Sequence, residues 1–243
     1  MTRSSRAALI VTLLFGILCL PTRASAQQRP AIAEKIAKTY GLESWGQVDA
    51  LRYTFNFEWG KFKLHRSWVW EPKTDQVTYE GPDNAGKPIK VTYKRSALAS
   101  QDDVVKNVVD PGFLNDQYVL LFPLHLAWDT GPTIEDAGMQ KLPLGKGKAR
   151  KVVVKYPSEG GYTPGDTWTL FVGDDARIQE WHYQRGGPVK PSVVIATWAG
   201  HKMAGPLLVS LDRRGKADGK PVRIWYTNVA VRQVGSAAWM EAK

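Results

Sequence analysis

The sequence predicts a mainly β protein with a few helices: one large curved antiparallel sheet of about ten strands, a half-open barrel wrapped over the helices. Three observations carry this. Apolar and polar residues alternate over residues 51–59 and again over 62–70, the period of a half-buried strand. Short turn signals, Gly60-Lys61 and Pro72 to Asp75, join such segments and favour antiparallel neighbours. After residue 148 the same strand-and-turn rhythm returns and runs almost to the end of the chain.

The first 26 of the 243 residues read as a cleavable export signal. Arg3 and Arg6 make a basic start, an apolar run follows from Ala7 to Leu20, and Ala24-Ser25-Ala26 fits a cleavage site. The mature chain, 27–243, then reads as a single domain, because all-β domains of roughly 200–250 residues are ordinary. Cys19, the one cysteine, lies in the leader, so disulfides, thiolate metal sites and cysteine nucleophiles are excluded from the mature chain. No second apolar run approaches the roughly 18 residues that span a bilayer. The expected product is periplasmic and not integral to the membrane.

Each element has its own signal. Ile32, Ile36 and Tyr40 recur at helical spacing, with Pro30 at the start and Gly41 as the cap. In the first strand Leu51, Tyr53, Phe55, Phe57 and Trp59 share a face; in the second, Leu64, Trp68 and Trp70 do, with Arg66 among them. Strands over 76–80 and 89–94 complete a meander. Ser100 and Asp103 resemble a capping box for a helix that Pro111-Gly112 should end. Asn115 is positioned to cap a second helix, which Pro123 should kink or end. On it Tyr118, Leu121, Phe122 and His125 share a face. Further strands are expected over 149–156, 166–172, 177–183, 192–198, 207–211 and 222–231, with a hairpin turn at Gly173-Asp174-Asp175 and a polar loop over 213–220.

Catalytic signatures are sparse. No glycine–lysine pair is followed by Ser or Thr, and no nucleophile elbow or zincin motif occurs. His125 with Asp129, and Glu180 with His182, fall on shared faces, yet three zinc ligands cannot be assembled from them. The turn-rich loop from Glu159 to Asp166 is distinctive and brings two carboxylates near one sheet rim. The chain carries 33 basic against 23 acidic residues. Export makes nucleic acid an improbable partner, and the charges are too scattered to form a recognition patch.

The strongest chemical signal is aromatic: seven of the ten tryptophans fall inside predicted strands. A sheet face this aromatic has to be covered, either by a solid core or by an apolar ligand held between sheet and helix. On the ligand reading Tyr53, Phe55, Phe57, Trp68 and Trp70 form the wall, and Tyr118, Leu121 and Phe122 act from a helical lid over residues 114–128. Arg66, a charge on that apolar face, must be paired or reach water.

Three segments carry a family resemblance: YGLESW at 40–45, NDQYVLLFP at 115–123, and YPSEGGYTPGD at 156–166 followed by IQEW at 178–181. With the order of elements, they make the chain resemble the periplasmic lipoprotein carriers of the LolA/LolB type. In local wording the chain is similar to a domain-of-unknown-function group of bacterial exported proteins with that predicted fold. The resemblance implies a concave apolar face that takes acyl chains, and an arginine on that face that meets the lid, with Arg66 as its counterpart. The expectation is therefore a non-enzymatic protein that binds an acyl chain, lipid or acylated protein, without a cofactor or catalytic residue. An envelope interaction or assembly module is the alternative, and after it a hydrolase drawing on His65, His125, His182, Glu159 and Asp166. Neither the oligomeric state nor a partner protein is legible.

Overall fold

The computed structural model describes residues 29–162, 164–187 and 192–243, so the predicted leader lies outside the described residues. Helix α1 (Ala31–Thr39) opens after Pro30 and buries Ala33, Ile36 and Ala37. It ends as expected: Gly41 takes the left-handed conformation at φ 102°, and a Cβ there would lie 2.7 Å from the Pro206 carbonyl. A short 3-10 segment, Leu42–Gln47, leads into the sheet.

The strands are β1 (Val48–Trp59), β2 (Phe62–Glu71), β3 (Gln76–Pro82), β4 (Pro88–Lys94), β5 (Thr133–Lys141), β6 (Lys148–Lys155) and β7 (Thr167–Val172). They continue as β8 (Ile178–Gln184), β9 (Val193–Thr197), β10 (Ala199–Ala204), β11 (Leu207–Ala217), β12 (Lys220–Gln233) and β13 (Trp239–Glu241). All belong to one sheet in the order β4-β3-β2-β1-β12-β11-β9-β8-β7-β6-β5, with β10 on β11 and β13 on β12. Every pairing is antiparallel, and β1 crosses to β12 to join the two ends of the chain. The sheet curves without closing, leaving β4 and β5 as its edges. The large curved antiparallel sheet over helices is thus present, with thirteen strands rather than about ten.

The additional strands explain themselves. In β5 only Ile134 is buried, and β10 buries only Ala204, so neither shows alternation. β13 has three residues. The expected polar loop over 213–220 is instead the end of β11, a turn at Asp218-Gly219, and the start of β12. Its leading charge misled the reading, because Arg213 is wholly buried.

The two predicted central helices are one rod. A π-helical turn (Val105–Val109) runs directly into α2 (Asp110–Trp128). Pro111 does not end the helix; it sits in the first turn of α2, directly after the π-helical turn in which the Asp110 amide reaches back five residues to the Val105 carbonyl, so the ladder is already shifted where the proline enters. Asn115 is internal and donates to Asp116 rather than capping. Pro123 does not end α2 either. It leaves the Val119 carbonyl without its i+4 donor, and Arg213 Nη2 on β11 fills that place at 3.1 Å.

Helix α2 lies in the concave face, and only Pro111, Asn115, Ala127 and Trp128 keep appreciable exposure. A helix apolar on all sides is a core helix. Trp68 and Phe113 meet edge to face, the Tyr226 hydroxyl donates to the Asp116 carbonyl at 2.9 Å, and Phe122 stacks on Trp168 with centroids 4.0 Å apart. The segment expected as a lid is therefore packed into the core. Among the described residues no helix is long and apolar enough to cross a membrane.

Candidate binding cleft

Because the sheet stays open, its two halves face each other across α2. Arg95, just after β4, donates from Nη2 to the Tyr162 hydroxyl in the β6–β7 loop at 2.7 Å. Beside this clasp lies a cleft of about 570 Å³. One wall comes from Trp70 and Arg95, the floor from Phe113, Leu114, Gln117, Tyr118, His125 and Trp128 along α2, and the other wall from residues 129–132 and 156–162. Gly160 and Gly161, at φ 76° and 69°, let the second wall fold over the floor.

The polar end of the cleft is organised around Asp129, just beyond α2. His125 Nδ1 donates to Asp129 Oδ1 at 3.0 Å, one helical turn away. Tyr118 and Tyr156 both bring their hydroxyls to Oδ2, the latter at 2.9 Å, and the two hydroxyls also touch. Burial disfavours charge on Asp129, yet the bonds from His125, Tyr118 and Tyr156 win and hold its carboxyl below the usual range. The same burial, together with the neighbouring carboxylate, pushes both phenols upward, so they stay protonated donors. At the other end, Asp110 is buried and accepts from Arg95 Nε at 2.8 Å and from the Tyr93 hydroxyl at 2.9 Å.

Of the nine residues expected to hold a ligand, the structure places Trp70 and Tyr118 in this cleft. Tyr53, Phe55, Trp68, Leu121 and Phe122 are buried in the core. Phe57 packs half-buried against Phe62, with centroids 5.9 Å apart, near the β1–β2 turn. Arg66 has the partner it needs: Nε donates to Asp116 Oδ2 at 2.8 Å, Nη2 to the other oxygen, and Trp68 Nε1 adds a third bond at 2.9 Å. Burial pushes the Asp116 carboxyl above its ordinary value, against the pull of Arg66.

The residues named for a hydrolase do not converge as a set. His125 and Glu159 both line the cleft. His65 bonds Asn56 at 2.7 Å on the outer face, and Asp166 holds the Tyr183 hydroxyl at 2.8 Å and the Gly186 amide at 2.7 Å. Glu180 accepts the amides of Leu144 and Gly145, at 2.8 and 2.6 Å, so its carboxylate serves a turn. Among the described residues no cluster of three metal-ligating groups occurs.

The sequence reading missed Arg95, Phe113, Trp128 and Pro132 as cleft residues, since each comes from a different segment. Tyr156, Glu159 and Tyr162 did stand in the distinctive loop, and Asp129 was paired with His125, but nothing local joined them into one site. A second, shallower groove of about 410 Å³ runs over the outer face past Thr54, Ser67, Thr78 and Glu80.

No family model and no curated protein matches the chain. Among solved structures, a DUF1329 family protein from Desulfovibrio piger is similar at 8% identity and a TM-score of 0.44, over 86% of this chain and 94% of that one. A LolA superfamily protein from Nitrosomonas europaea is similar at 7% identity and a TM-score of 0.47, over 83% and 92%. These are likenesses of overall fold, and the site is read from its own geometry.

Proposed function

We propose that the chain is an exported periplasmic binding or carrier protein that holds an apolar or amphipathic ligand, such as an acyl chain, a lipid or an acylated protein, in the cleft over α2. The observation that carries this is the cleft itself: about 570 Å³, walled by Trp70, Phe113, Leu114 and Trp128, with a polar group at each end. Ligand pockets commonly span roughly 300–1,000 Å³ with this balance of apolar wall and few polar anchors. Burial of the ligand's apolar surface, worth about 25 cal/mol per Å², supplies the affinity. The leader at 1–26 and the thiol-free mature chain support export.

Helix α2 need not move for exchange, because the cleft opens to solvent beside the exposed Tyr162. The reading is non-catalytic. His125 engages Asp129 through Nδ1 and lies 3.4 Å from the Gln117 side-chain oxygen through Nε2, which leaves no ring nitrogen aimed at a ligand. Native mass spectrometry on protein isolated without detergent tests the proposal. The expected result is a stoichiometric extra mass that organic extraction releases. Protein that arrives empty and also ignores a fluorescent acyl probe would end the carrier reading.

A further inference from the structure

The binding reading leaves open which head group the cleft accepts. We propose that its ligand carries a cationic, ammonium-type head, seated between Asp129 and Glu159 and beside the rings of Trp128 and Tyr156. This rests on the cleft being the ligand site and adds the chemical class.

The direction of the hydrogen bonds decides the polarity. Tyr118, Tyr156 and His125 all spend their hydrogens on the Asp129 carboxylate or on each other. What the phenol oxygens have left to offer is lone pairs, so this end of the cleft suits a donor better than an anion. Among the described residues no Lys or Arg pairs with the Asp129 carboxylate, whose partners are the Tyr118 and Tyr156 hydroxyls and His125 Nδ1. The Arg29 guanidinium donates to the backbone carbonyls of Ala127 and Asp129 instead.

The one arginine of the lining is already engaged. Arg95 is held by the buried Asp110 and by the Tyr162 hydroxyl, so its charge is matched from behind. Glu159 adds an exposed carboxylate at the rim. An ammonium over aromatic faces gains from their negative centres, most strongly over tryptophan. The rest of the molecule pulls the other way: with 33 basic against 23 acidic residues, its long-range field attracts anions. A preference for cations has to come from the cleft.

Three amphiphiles with one tail test this: dodecyltrimethylammonium, dodecyl maltoside and dodecyl sulfate, each titrated below its micelle concentration at moderate salt and followed by tryptophan fluorescence and calorimetry. The ammonium compound should bind about tenfold tighter than the sulfate. Asp129→Asn should shrink that gap. So should Glu159→Gln, a change in an exposed loop residue outside the Asp129 hydrogen-bond network. Equal affinity for all three, or a tighter sulfate, overturns the head-group assignment and leaves the cleft a binding site. If none of the three binds, the cleft reading falls and this inference falls with it.

Discussion

Arg66, Arg213 and His201 show how single residues become legible only with their partners. Arg66 announced itself in the sequence as a charge on an apolar face, and the physical demand for a partner was right, but the partner, Asp116, lies 50 positions away on α2. His201 gave no such signal. Its Nε2 sits 2.8 Å from the Tyr40 hydroxyl, which in turn accepts the Ile178 amide at 3.1 Å. Burial, helped by the charges of Arg177 and Arg213, lowers its pKa from 6.5 to about 4. Between those values the unfolded chain binds a proton that the folded chain refuses. Stability contributed by neutral His201 is therefore complete above about pH 6.5 and is lost as pH falls toward about 4. His201→Gln, which keeps an acceptor for Tyr40, should flatten the fall of Tm across that window. Parallel Tm profiles for the two proteins would show that His201 does not titrate with folding.

At the scale of elements, propensity and context part company on α2. Pro111, Gly112 and Pro123 are breakers by local rules, and the sequence reading cut the rod at each. Tertiary structure overrules them: a π-helical turn feeds Pro111 into a first turn, and a buried arginine replaces the donor that Pro123 lacks. Arg213 also lies 3.8 Å over the Trp198 ring and donates to the Ser210 carbonyl at 3.2 Å. Arg213→Met should therefore cost about 1–3 kcal/mol in chemical denaturation, since it leaves the buried Val119 carbonyl unpaired. In a Pro123→Ala background the residue at 123 regains its amide hydrogen for the Val119 carbonyl. The same Arg213→Met change should then cost about 1 kcal/mol less. An additive cycle would mean that Arg213 does not serve the proline. The strands that sequence revealed, β1 and β2 above all, are those whose apolar and polar residues alternate along the chain, whereas β5, β10 and β13 lack the alternation that makes a strand visible.

For the whole molecule, the architecture was readable because the aromatic faces of successive strands required one large sheet with something in its hollow. What fills most of that hollow is α2, so a solid core and an open cleft, where the sequence left core and cavity as alternatives, coexist. Tyr53, Phe55, Trp68, Leu121 and Phe122 pack the core, while the cleft opens where the sheet fails to close. Its lining reaches from Trp70 to Tyr162 through β2, the segment after β4, α2 and the β6–β7 loop. No periodicity can connect pieces so far apart, although two of them, Tyr118 and the 156–166 loop, had stood out individually. The central claim is that ligand occupies this cleft and not the sheet face near the β1–β2 turn. Affinity for a fluorescent acyl probe, measured on Trp128→Ala and Phe57→Ala proteins of matched thermal stability, tests it most directly. Loss of the half-buried Trp128 should weaken binding about tenfold or more, while loss of Phe57 should change it by less than about twofold. The reverse order would place the ligand on the sheet face and contradict the account.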